Sequence, residues 1–150
     1  NYIGCVGRSI DETQKPKWLH SKGFKKSILY GLNIAGKYIQ QSQTAILVEG
    51  QGDVWRMHEA GYKNCVGIFG SNMNEDQLLL LERSGALNIV ILTDSDEAGQ
   101  KACDQIVKTC GRRFNYFRPE ISMKDVGEMS VEQIRDELYP QLGDCVTDEN

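Results

Sequence analysis

Residues 89–99 read Ile89-Val90-Ile91-Leu92-Thr93-Asp94-Ser95-Asp96-Glu97-Ala98-Gly99, and the class of fold turns on them. Four successive apolar residues form a strand covered on both faces, because a strand with one wet face alternates apolar and polar positions. Two aspartates follow at its carboxyl end. Beyond them Ala98, Ala102 and Ile106 recur at four-residue spacing, the period of an amphipathic helix. Strand, acidic turn and helix in succession are the repeating unit of a parallel sheet.

The same unit is found upstream. Ala45-Ile46-Leu47-Val48 is a second apolar run, ending at Glu49-Gly50, and residues 52–60 suit the helix that follows. Val66-Gly67-Ile68-Phe69 reads as another strand, stopped by Gly70 and Ser71. Asn74 can cap the next helix with Gln77 at the reciprocal position, and the leucine run 78–81 is expected to be buried on more than one side, with Glu82 and Arg83 on a wet edge. Downstream, Phe114-Asn115-Tyr116-Phe117 looks like a further strand, and Ser130 with Gln133 forms a second capping box before Ile134 and Leu138. The expectation is an α/β fold with a mainly parallel sheet flanked by helices. Chemistry in such folds lies beyond the strand carboxyl ends, where Glu49 and the Asp94-Ser95-Asp96 turn both fall.

Composition bounds the rest. A chain of 150 residues, 40% hydrophobic, holds one substantial core with room for a small appendage. With 25% of residues charged, 15 Gly and 3 Pro, the chain is not a repeat or a disordered segment. No apolar run approaches bilayer length, and residues 1–20 lack the apolar centre of a signal peptide, so a cytoplasmic setting is expected. Cysteines at 5, 65, 103, 110 and 145 show no Cys-x-x-Cys spacing and are expected to be reduced thiols rather than zinc ligands.

Charge is uneven. Residues 1–44 carry seven Lys or Arg against two Asp or Glu, and residues 45–150 carry ten against nineteen. A basic arm beside an acidic body suits a protein that holds phosphate with one part and a cation with the other, although a lysine-rich stretch is also compatible with simple solvation. Gly4, Gly7, Gly23 and Gly31 punctuate the arm, the Lys15-Pro16-Lys17 tract reads as a loop, and a short helix is expected near residues 29–38.

Asp94 and Asp96 taken alone suit an exposed turn or helix caps, Asp96 especially. With Glu49 at the equivalent end of another buried strand, three carboxylates converge, and a divalent cation such as Mg²⁺ is the economical way to relieve their repulsion. Glu49 alternatively suits general acid or base work toward a 3′ hydroxyl. Asp53, one helical turn past Glu49, and Asp125, in a loop after the strand at 114–117, are auxiliary carboxylates or surface groups.

Ile46-Leu47-Val48-Glu49-Gly50 with Asp53, and the run from Ile91 to Gly99, resemble the two signatures of the Toprim family. The family includes topoisomerases, bacterial-type primases, nucleases and RecR-like repair proteins. Upstream, Gly7-Arg8, Pro16-Lys17-Trp18-Leu19-His20-Ser21 and Phe24-Lys25-Lys26-Ser27-Ile28-Leu29-Tyr30-Gly31-Leu32 resemble the basic subdomain that precedes Toprim in bacterial and phage-type primases. The resemblance implies a Toprim fold over residues 44–143, preceded over 1–43 by part of a small basic α+β subdomain and followed by a polar tail at 144–150. It implies that Glu49, Asp94 and Asp96 bind Mg²⁺, or Mn²⁺ in its place, with Asp53 and Asp125 assisting. Arg8, Lys17 and Lys25 or Lys26 are then phosphate contacts, and Trp18 stacks on a base or packs against the body. The implied activity is RNA primer synthesis from ribonucleoside triphosphates on a single-stranded DNA template, with a replicative helicase as partner through regions outside this chain. His20, Ser27 and the Val126-Gly127-Glu128 run depart from the primase pattern and suggest a divergent, phage-encoded enzyme, present here as an excised catalytic core. The competing readings are a Toprim nuclease and a non-catalytic RecR-like nucleic-acid-binding module; a topoisomerase needs a catalytic tyrosine, which no sequence context here designates.

Overall fold

The computed structural model describes residues 4–11, 13–22 and 27–143. Lys25, Lys26 and Cys145 lie outside them. A two-stranded antiparallel ribbon, β1 (Val6–Arg8) and β2 (Trp18–His20), precedes a sheet of four parallel strands. The sheet strands are β3 (Thr44–Val48), β4 (Cys65–Gly67), β5 (Asn88–Leu92) and β6 (Asn115–Phe117), in the order β4-β3-β5-β6. Helices α1 (Leu32–Ser42), α2 (Gln51–Glu59), α3 (Glu75–Arg83), α4 (Glu97–Cys110) and α5 (Val131–Leu142) surround it, with a 3₁₀ turn at Val126–Glu128 between β6 and α5. Among the described residues no helix is long and apolar enough to cross a membrane.

The unbroken apolar runs are explained by the period-two geometry of a strand with helices on both sides. Ala45, Leu47, Ile89 and Ile91 point to one face, where they meet Ala35 and Ile39 of α1, Leu78 and Leu81 of α3, and Ile106 of α4. Ile46, Val48, Val90 and Leu92 point to the other, against Val54 and Met57 of α2 and Ile134 and Leu138 of α5. All of β3 is buried, and each buried Leu or Ile contributes about 1.5–3 kcal/mol relative to exposure.

Both expected capping boxes form. Asn74 and Gln77 bond each other's backbone N–H at 2.9 and 3.1 Å, and Ser130 and Gln133 do so at 3.1 and 2.9 Å. Three local expectations are corrected. Of the leucine run, Leu78 and Leu81 are buried but Leu79 is 44% exposed, because consecutive helical positions are 100° apart and one helix face meets the sheet. Ala98 is exposed, and the buried stripe of α4 is Gly99, Ala102, Cys103, Ile106 and Cys110. The first helix begins at Leu32, later than expected; Leu29 enters the core, and Tyr30 exchanges backbone hydrogen bonds with Gly67 at 2.8 and 3.0 Å. The chain then turns at Gly31, whose φ of 82° favours glycine.

The ribbon pairs Arg8 with Trp18 and Val6 with His20, and the Lys15-Pro16-Lys17 tract lies in the connection between its strands. The His20 ring meets Phe69 edge-on at 5.7 Å, which sets the ribbon beside the ends of β3 and β4. Cys65, Cys103 and Cys110 are free and buried, and Cys5 is free and exposed.

Candidate functional site

Glu49 and Asp94 leave neighbouring strands side by side because β3 and β5 pair in parallel register, Val48 opposite Leu92. The Asp94 backbone N–H points at Glu49 Oε1 across 3.4 Å. Burial raises the Glu49 carboxyl, and the Asp94 charge adds to it; burial also raises Asp94, helped by the charge on Asp125. Asp53, in the first turn of α2, accepts the Gly50 N–H at 3.0 Å. Its carboxyl is pushed up to about 6, first by burial and then by the charges of Asp125 and Asp94, against the hydrogen bond from Gly50. Asp125 caps the 3₁₀ turn, accepting the Glu128 N–H at 3.0 Å. Gly127 lets Asp53 and Asp125 approach: a Cβ there would lie 2.8 Å from Asp53 Oδ1 and 3.1 Å from Asp125 Oδ1.

Glu49, Asp53, Asp94 and Asp125 therefore gather below the strand ends. Asp96 stands at the rim and caps α4, its Oδ1 accepting the Gly99 N–H at 2.9 Å, a bond that lowers its carboxyl. Gly99 lies directly on the turn; a Cβ there would fall 1.9 Å from the Asp94 carbonyl oxygen. Among the described residues no three His, Cys, Asp or Glu side chains form a ready-made metal cage. The donor chemistry nevertheless fits a hard divalent cation, since the gathered ligands are all carboxylates and three of them are held above their ordinary range by burial and mutual charge.

A positive charge already sits at this rim. Lys124 Nζ lies 3.5 Å from Asp94 Oδ2 and 3.4 Å from Asp96 Oδ2. Its backbone is tied to the acidic turn: the Ser95 N–H donates to the Lys124 carbonyl at 2.7 Å, and Ser95 Oγ donates to the Met123 carbonyl at 3.2 Å. Arg118, just past β6, donates to the Asp94 carbonyl at 3.4 Å and to Gln100. Sequence reasoning missed both as site residues. Lys124 adjoins Asp125 in the chain, which was the available signal, but adjacency does not say where a long side chain reaches.

Above the acids lies a cleft of about 910 Å³. Glu49, Asp53, Asp94 and Asp125 line it together with Lys124, Arg8, Trp18 and His20, and with Trp55 and Arg56 of α2. The Arg8 guanidinium stands over the Trp18 ring at 5.5 Å, so Trp18 is half-buried and shares the cleft wall with a cation. Lys17 is exposed and does not line the cleft.

Comparison with known proteins bears on the family and the fold. The model of the Toprim domain matches residues 43–118, half of the chain. A DNA primase of Deinococcus radiodurans is 37% identical over 113 residues, covering 70% of this chain and 20% of its own length. A DNA primase of Clostridium acetobutylicum is 44% identical over 104 residues, covering 67% and 17%. The chain thus spans about one fifth of the length of the curated relatives it matches. Among solved structures, the zinc-binding and RNA polymerase domains of the Aquifex aeolicus primase superpose with a TM-score of 0.72 at 28% identity, covering 96% of this chain and 36% of that one. With its two acidic signatures on adjoining parallel strands and this likeness to primase cores along nearly its whole length, the chain belongs to the Toprim domain family.

Proposed function

We propose that the chain is the catalytic core of a DNA primase, joining ribonucleoside triphosphates into a short RNA primer on a single-stranded DNA template. The observation that carries this reading is the meeting of Glu49 and Asp94 at paired strand ends, beneath a cleft that Arg8 also lines, in a chain similar to primase cores.

Toprim domains generally require a divalent metal. In this proposal Glu49, Asp94 and Asp96 hold Mg²⁺, or Mn²⁺ in its place, with Asp53 and Asp125 assisting. Such an ion, when bound, supplies charge against phosphate oxygens and acidifies a hydroxyl. Asp96 becomes available as Lys124 leaves its 3.4 Å contact, and the freed ammonium is then placed to meet triphosphate oxygens. In the alternative role open to Glu49, its carboxyl, whose affinity for protons burial raises, takes the proton of the 3′ hydroxyl in place of holding the ion. That oxygen bonds to the α-phosphorus while the bond to the β-phosphate breaks and pyrophosphate leaves. Arg8, Lys17 and Lys25 or Lys26 hold template or triphosphate without reading bases, as cations on flexible stems do. Alignment and fixed charge account for the rate, with no covalent intermediate on the protein. A replicative helicase partner and a cytoplasmic setting, in a bacterium or a phage-infected host, belong to the same proposal.

The test is primer synthesis on single-stranded DNA by the intact protein and by Asp94→Ala. A drop of at least about a hundredfold with the fold retained supports the proposal, and equal primer from both overturns it. Shortening of nucleic acid without triphosphates would instead identify a nuclease.

A further inference from the structure

A second cavity, of about 240 Å³, adjoins the acidic cleft. Trp18, Gln51, Trp55 and Phe69 line both, so these side chains form the boundary between the two spaces. Tyr30 also lines the smaller one.

Its walls are aromatic and held in place. Trp55 is 56% exposed, yet its indole N–H donates to the Tyr30 hydroxyl at 2.8 Å, which fixes the plane of a ring that would otherwise swing in water. Phe69 adopts φ 54°, an unfavourable value for an aromatic residue, and meets Tyr30 edge-on at 5.5 Å. Backbone strain of this kind is kept where the surroundings hold it, often at a ligand site.

Gln51 supplies an independent observation. It opens α2 two residues after Glu49 and is 7% exposed. It borders the smaller cavity as well as the acidic cleft, unlike the buried Gln77 amide, which donates to two carbonyls at 2.9 and 2.7 Å. A carboxamide at such a wall offers both a donor and an acceptor to whatever enters.

We infer that this cavity is a nucleobase pocket: a planar heteroaromatic ring stacks on Trp55 with its polar edge on the Gln51 carboxamide, and the phosphates of the same nucleotide lie in the acidic cleft. The inference rests on the nucleotide-binding reading above. Volume and chemistry select the ligand. A cavity of 240 Å³ admits one ring system and falls short of the roughly 300–1,000 Å³ of a site that swallows a whole ligand, so the anionic part must lie in the adjoining cleft. Stacking is indifferent to which base is present, whereas a carboxamide pairs a donor with an acceptor and favours bases with the complementary edge.

The intact protein, in Mg²⁺, is titrated with 2-aminopurine ribonucleoside triphosphate and, separately, with inorganic tripolyphosphate. Binding is expected to quench the 2-aminopurine fluorescence. Trp55→Ala is expected to abolish the quenching and weaken the nucleotide about tenfold, leaving tripolyphosphate binding unchanged, while Trp55→Phe keeps most of both. Gln51→Leu is expected to level the affinities of the four natural ribonucleoside triphosphates. Nucleotide binding without quenching, or equal weakening of both probes by Trp55→Ala, overturns the pocket and leaves the primase reading standing. Failure of both probes to bind the unaltered protein overturns the two together.

Discussion

The parallel sheet and the antiparallel ribbon face each other across one cleft, yet they are held by different means. Glu49 and Asp94 are placed by strands buried on both faces, in a register that packing enforces. Arg8 is placed by a pair of three-residue strands, mostly exposed, that borrow order from ring contacts such as His20 on Phe69; two strands alone are marginal in water. The acids are therefore costly to move and the bases cheap to move. This suits a site in which carboxylates must already be near one another, while cations need only follow a flexible anion.

The largest expected contrast is in stability. Leu47→Ala, at a fully buried position of β3, is expected to cost about 2–5 kcal/mol in urea unfolding, whereas Leu19→Ala, 62% exposed in β2, stays within about 0.5 kcal/mol. Equal costs would break the comparison. Gly99→Ala comes next. The added methyl meets the Asp94 carbonyl, and either α4 or the acidic turn must shift, at about 1–3 kcal/mol. Mn²⁺ titration is then expected to give weaker binding to Gly99→Ala than to the unaltered protein.

Asp53→Asn sharpens the comparison by relieving repulsion inside the rigid half. The folded carboxyl titrates near 6 against an ordinary 3.8, so the folded chain holds this proton more tightly than the unfolded one. Stability is therefore expected to fall as pH rises from about 4 to 6 and to stay reduced above that, by up to on the order of 2–3 kcal/mol. Asparagine can still accept the Gly50 N–H. The variant should accordingly be the more stable at pH 7.5, with a flatter profile between pH 4 and 7, and millimolar Mg²⁺ should narrow the gap by stabilising the unaltered protein. Urea unfolding across pH checks both points; a variant less stable at pH 7.5 would show that the acids are not strained. The smallest effect is expected in the ribbon. Arg8→Ala should leave unfolding unchanged, weaken binding of single-stranded DNA about equally for all sequences, and lower the slope of log affinity against log salt by about 1.

Much of this was legible in the chain itself. The runs at 45–48 and 89–92, the capping pairs Asn74 with Gln77 and Ser130 with Gln133, and the acids at two strand ends follow from local periodicity and local hydrogen bonding, which neighbouring residues decide among themselves. Ala98 and Leu79 were misread because a helix repeat states which residues share a face, while the sheet it meets selects the face. The lysines of the basic N-terminal stretch were weighted above Lys124 because clustering is visible in a sequence and reach is not.

The sequence by itself determined that buried strands end in carboxylates, since burial of an apolar run follows from its own composition. Tertiary structure alone decided that β3 and β5 lie side by side, that Lys124 spans Asp94 and Asp96, and that Gln51 and Trp55 line one cavity with Tyr30 and Phe69. Those juxtapositions join residues far apart in the chain, and their free energy comes from the shared exclusion of water and from charges meeting through space, which no local stretch of sequence contains.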